Sequence, residues 1–177
     1  MLRGKFKNTA LATVLATTLT ACGGGGGGGG GAVGTVSNFV QEDLSNLSGS
    51  QNIISNYSNL INNFNSVVSG GEYSSLSAIL TGPTSEDIET ANTLIGMLDQ
   101  ADSLWTQTEE LIAQQSDGDR YTIYNSDSYK EAYAAFLYLK NSVKPIIQKV
   151  ADGRTITLAD YNTIAKEEKA QEIINTE

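Results

Sequence analysis

The chain has 177 residues, 40% of them hydrophobic, with 11 Lys and Arg against 20 Asp and Glu for a formal net charge of −9. It contains no histidine and a single cysteine. That composition removes the commonest metal ligands, Ser-His-Asp catalysis and any disulfide within the chain, so a folded body has to rest on packing.

Residues 1–21 hold Arg3, Lys5 and Lys7 and no acid, followed by a mostly apolar run from Ala10 to Leu19. A basic start, about ten apolar residues and a small-residue end are the parts of a secretory signal, whereas a spanning helix needs roughly 20 apolar residues. The segment is therefore set apart from the fold. Its close, Leu19-Thr20-Ala21-Cys22, resembles the lipobox of bacterial lipoproteins, in which an aliphatic residue and two small residues precede an obligatory cysteine. The resemblance covers about 22 residues. It implies cleavage before Cys22, a thioether-linked diacylglycerol on that cysteine and usually an amide-linked acyl chain such as palmitate. Two or more acyl chains hold a protein stably at a membrane, at about 0.8 kcal/mol per buried methylene. The alternative, a secreted protein with a stray thiol, leaves the lone cysteine unexplained. In double-membrane members of the class an aspartate after the cysteine favours inner-membrane retention. Here that position is Gly23, so the resemblance implies the outer membrane, with the body facing the periplasm or the cell exterior.

Nine glycines, Gly23 to Gly31, follow the cysteine, and a chain of that composition is expected to act as a flexible leash. The linker is placed at 22–35 and one folded domain at 36–177, which is long enough for a real core. A phosphate-binding loop would need a strand before the glycines and a Lys-Ser/Thr or patterned helix after them, and neither is present. Without the three signal bases the chain keeps 8 bases, all from Arg120 onward, while 12 of its acids lie between Cys22 and Asp119 with no base among them. Such a front half is repelled by anionic lipid and by nucleic acid, which excludes the latter as a partner.

The body reads as all-α, a small helical bundle with three to four main helices. Val36, Phe39, Val40, Leu44 and Leu47 predict a short first helix. Ile53, Ile54, Tyr57, Leu60, Ile61, Phe64, Val67 and Val68 fall on spacings of three and four, with a Ser48–Gln51 capping box before them and Gly70-Gly71 after. A brief segment with Tyr73, Leu76, Ile79 and Leu80 precedes Pro83. The next helix is expected to open at Thr84 with Asp87 three residues on, to bury Ile88, Ala91, Ile95, Leu98, Trp105, Leu111 and Ile112, and to stop at Asp117-Gly118. A third long helix is predicted from a Ser128–Glu131 capping box to Val150, bent at Pro145 and closed at Asp152-Gly153. The last begins at Thr157 with Asp160 and carries Tyr161, Ile164, Ile173 and Ile174.

Asp117, Asp119, Asn125 and Asp127 have the oxygen density of a calcium loop. An EF-hand, however, needs glycine sixth and a bidentate acid twelfth, where counting from Asp117 gives Thr122 and Ser128. The stretch reads as a turn, with no metal site. Asp152 to Tyr161 departs by one residue from a dockerin-type loop and reads as a helix cap, a turn and a second cap. It also resembles turns near the ends of small phage-encoded helical proteins. Trp105, Tyr133 and Phe136 match the apolar faces and are expected in the core, while Tyr121 and Tyr124 are placed in a loop, where binding residues concentrate. The candidate binding residues are thus Trp105, Tyr121 and Tyr124, with Asp117 and Asp119 beside them. No cofactor is expected and no acid-base constellation appears. The leading expectation is a non-catalytic, lipid-anchored interaction domain with a protein or surface partner. A ligand-binding lipoprotein with a pocket between helices, around Trp105 and Tyr133, is a second reading. An envelope exclusion lipoprotein encoded by a phage is a third.

Overall fold

Apolar residues three and four apart put one stripe of each segment toward a shared interior, and every regular element among the described residues is helical, with no strand. The computed structural model describes residues 32–69, 82–157 and 159–160. The signal segment, Leu19 to Cys22, the glycine run, the segment 70–81 and the tail 161–177 lie outside the described residues, as do the side chains of Val67 and Val68.

Helix α1, Ala32–Asp43, buries Ala32, Val36, Phe39 and Val40. Residues 32–35, assigned from sequence to the linker, belong to this helix, because Ala32 lies four residues before Val36 and extends the same buried stripe by one turn. The chain then turns to α2, Ser50–Ser69, which buries Ile53, Tyr57, Leu60 and Phe64. Gly49 precedes α2 with φ +90°, a conformation that favours glycine. The helix thus opens at Ser50, two residues after the expected cap at Ser48, and the Ser50 hydroxyl donates to the Ser45 carbonyl at 3.2 Å.

Helix α3, Ser85–Ala113, is the axis of the domain. Thr84 caps it as expected: the Asp87 N–H donates to Thr84 Oγ1 at 3.2 Å and the Thr84 N–H donates to Asp87 Oδ2 at 2.7 Å. Thr84→Ala, which removes one half of this reciprocal pair, should lower the unfolding free energy by about 1 kcal/mol in urea titrations. The buried set of α3 is wider than one stripe. Leu94, Ala101, Leu104 and Thr108 join Ala91, Leu98, Trp105, Leu111 and Ile112, while Ile95 is only partly covered. The reason is that α3 packs against α2 and, elsewhere on its surface, against the second half of the last described long helix.

Two further boundaries differ from the sequence reading. Helix α3 ends at Ala113, and Asp117-Gly118, expected to stop it, opens a separate helix, α4, Asp117–Asn125. Ser116 accepts the Asp119 N–H at 3.3 Å, and acids at 117 and 119 suit the positive end of the helix dipole. Ser126 then caps the next helix by accepting the Tyr129 N–H at 3.2 Å, so that helix starts two residues before the expected box at Ser128.

This helix, α5, runs Asp127–Tyr138, passes through a π-helical turn at Leu139–Val143 and continues as Lys144–Ala151. The sequence predicts a bend at Pro145. Instead the wider turn, in which the Lys144 N–H donates to the Leu139 carbonyl, sets Pro145 in the first turn of the following segment, where its missing N–H is tolerated. The first half of α5 packs on α1 and the second on α3. Gly153, at φ +73°, ends α5: its N–H donates to Val150 and the Arg154 N–H to Lys149, the two bonds of a Schellman motif. Ile156 is buried beyond it, and Thr157 and Asp160 form the expected second capping box, with bonds of 2.9 and 3.1 Å.

The uneven charge along the chain becomes pairing across it. Lys140 and Lys144 of α5 meet Asp102 and Asp99 of α3, and Lys149 meets Asp160 at 2.7 Å. The two pairs between α3 and α5 are largely solvated, contribute under about 1 kcal/mol each and fix register more than stability, whereas the Lys149–Asp160 pair is partly buried. Burial pushes the Asp160 carboxyl up, but hydrogen bonds from Lys149 and Thr157 outweigh it and hold the group below the ordinary carboxylate value.

Candidate functional site

The side chains that the sequence singles out separate into two places. Trp105 is 4% exposed and lies at the centre of a group of rings drawn from four helices. Phe136 stacks on it at a centroid distance of 5.1 Å, Tyr133 and Tyr129 both sit at 6.0 Å, and Phe39 of α1 reaches it at 6.4 Å. Tyr124 joins edge-on to Tyr129 at 5.0 Å. Tyr133, expected in the core, is 41% exposed, because it sits at the margin where Trp105 and Tyr129 cover only part of its ring.

Tyr124, read from sequence as a loop residue, is on α4 and partly buried. Its hydroxyl donates to Glu109 Oε2 at 3.1 Å, while that of Tyr129 donates to Glu109 Oε1 at 2.8 Å. One carboxylate of α3 thus binds a phenol from α4 and a phenol from α5. Burial, then the charge and hydrogen bond of Glu109, push both phenols above the ordinary tyrosine value. Glu109 went unnoticed in the sequence because its partners lie 15 and 20 residues away. The helical spacing of Trp105 and Glu109, four residues apart on one face, is the signal that could have found it.

Tyr121, Asp117 and Asp119 are not part of this group. Tyr121 is 71% exposed, and α4 has no fully buried residue. Asp117 pairs with Arg120, and Asp119 accepts the Ser116 hydroxyl at 2.6 Å. No group of three or more His, Cys, Asp or Glu among the described residues is placed to hold a metal.

A shallow depression beside the rings is lined by Leu98, Ala101, Asp102, Phe136, Leu139, Lys140 and Lys144 and has about 10 Å³ of free space. That is room for about one water, against the roughly 300 Å³ or more of a small-molecule pocket. Lys140 extends over the Phe136 ring at 5.5 Å, and a ligand approaching Trp105 has to displace one of its flanking rings. No described helix is long and apolar enough to cross a membrane. Comparison of the chain with protein-family models, curated proteins and solved structures gives no significant match.

Proposed function

We propose that the chain is the precursor of a membrane-anchored bacterial lipoprotein whose helical body is a non-catalytic interaction domain. The observation that carries this reading is the position of the single cysteine, Cys22, directly behind Leu19-Thr20-Ala21 and an apolar signal-like run. Nine glycines, 23–31, separate Cys22 from α1, which starts at Ala32. The bundle stays close to its membrane, and the residue after the cysteine, Gly23, favours the outer one, facing the periplasm or the exterior. The side of the body offered to a partner is the outer face of α4, with an exposed Tyr121 and the acids Asp117 and Asp119, while Ile123 and Tyr124 on its other side rest on the core. Tyrosine beside polar groups is a common composition for contact surfaces.

Mass spectrometry of the cell-purified N-terminal peptide, with incorporation of labelled palmitate, tests the anchor. The wild-type chain should begin at Cys22 with diacylglycerol and acyl mass attached. Cys22→Ser should incorporate no label, a complete loss rather than a graded one, because the thioether has no other acceptor. An unmodified cysteine at the mature N-terminus, or retention of residues 1–21 in the wild type, would overturn the reading. Protease treatment of intact and permeabilised cells then distinguishes a body outside the cell from one in the periplasm.

A further inference from the structure

Trp105, Tyr129 and Tyr133 form a triangle of rings whose three centroid separations are all 6.0 Å. The triangle spans from a buried indole to a phenol that is 41% exposed. At its third corner the Tyr129 hydroxyl lies 2.8 Å from Glu109 Oε1, within direct proton-transfer distance of a base. The other oxygen of that carboxylate is held by Tyr124 at 3.1 Å, so Oε1 stays aimed at Tyr129. Packing alone would be satisfied by phenylalanine at 129. The hydroxyl and its carboxylate supply a proton path that packing does not use.

We propose that these groups form a one-electron relay, in which a hole created on Trp105 by a diffusible one-electron oxidant passes to Tyr129 as the Tyr129 proton moves to Glu109. The oxidant gains one electron from the indole and leaves a tryptophan radical cation. Tyr129 returns an electron to the indole and gives its phenolic proton to Oε1. The products are a neutral tryptophan, a neutral tyrosyl radical and a protonated Glu109, whose new O–H faces the radical oxygen. Coupling the two transfers avoids a phenol radical cation in a poorly solvated site, where uncompensated charge is costly. Tyr133, stacked on Tyr129 at an interplanar angle of 7°, links that radical to the surface, where a reductant can quench it. This activity is independent of the membrane anchor.

Flash oxidation of the full chain by a photogenerated ruthenium(III) complex tests the relay, with transient absorption and electron paramagnetic resonance to separate tryptophan from tyrosyl radicals. In the wild type the tryptophan signal should decay as a tyrosyl signal grows, and the decay should slow in deuterated buffer. Tyr129→Phe and Glu109→Gln should each slow the decay by about tenfold or more, equivalent to about 1.4 kcal/mol in the barrier. Circular dichroism checks that the variants fold, and the deuterium measurement needs no variant. The proposal is overturned by a decay unaffected by deuterium, by a folded Glu109→Gln that decays at the wild-type rate, or by a tyrosyl signal that vanishes in Tyr133→Phe but survives in Tyr129→Phe.

Discussion

Replacing Trp105 by alanine is expected to lower the unfolding free energy by about 3–5 kcal/mol. For a domain of this size, with a stability typically of about 5–15 kcal/mol, that is a large fraction of the whole. The effect lies in the full range for truncating a buried aromatic because of where the indole sits. Its neighbours come from α1 through Phe39 and from α5 through Tyr129, Tyr133 and Phe136, and it is itself on α3. The void therefore opens where three helices meet, and none of the stacked rings can close it without leaving a partner. Trp105→Phe keeps one ring in the stack and should lose about 1–2 kcal/mol. Urea titrations followed by far-UV circular dichroism read both variants without relying on the tryptophan itself. A loss below about 1 kcal/mol for the alanine variant would show that the rings collapse freely into the space and that the cluster does not join the helices.

Much of this architecture is written in local sequence signals, and the parts that are not have identifiable causes. The Thr84–Asp87 and Thr157–Asp160 boxes and the glycine at 153 are short-range devices, each made within about five residues, and a reader of the sequence can find them. Helix α4 escapes that reading because Asp117–Asn125 has only Ile123 and Tyr124, both partly covered, facing the core, and the apolar period that reveals the other helices is missing. The π turn escapes because proline says that an ordinary α-helix cannot continue unchanged, but not whether the chain bends or widens. The aromatic group is half legible. The spacing places Trp105 and Phe136 on buried faces and puts Glu109 on the face of Trp105, yet the pairing of that carboxylate with two phenols 15 and 20 residues away is invisible to any local pattern. The charge asymmetry, read in the sequence as repulsion from anionic surfaces, also has an internal use, since lysines of α5 find the acids of α3.

The bond between α2 and α3 makes the domain sensitive to alkali, with a sign that can be worked out. Thr108 gives its hydroxyl proton to the Leu104 carbonyl at 2.8 Å, so in its 3.4 Å contact with Tyr57 it acts as the acceptor and Tyr57 as the donor. Burial first, and then the nearby charge of Glu109, push the Tyr57 phenol well above its ordinary value of about 10. Below about pH 10 both folded and unfolded chains keep this proton, and its contribution to stability is fully present. Above that point the unfolded chain releases the proton while the folded chain retains it. The unfolded state then binds fewer protons, and stability falls by about 1.4 kcal/mol per pH unit until the folded phenol also ionises. Tyr129 and Tyr124, both raised, act in the same direction. Every other ionisable group is common to the wild type and to Tyr57→Phe, so a comparison of the two isolates the Tyr57 phenol. Between pH 8 and pH 11.5 the wild type should lose about 2 kcal/mol more than Tyr57→Phe, read from urea midpoints at each pH. Equal losses in the two proteins would mean that water already reaches the Tyr57 hydroxyl in the folded state and that the α2–α3 seam is open at that point.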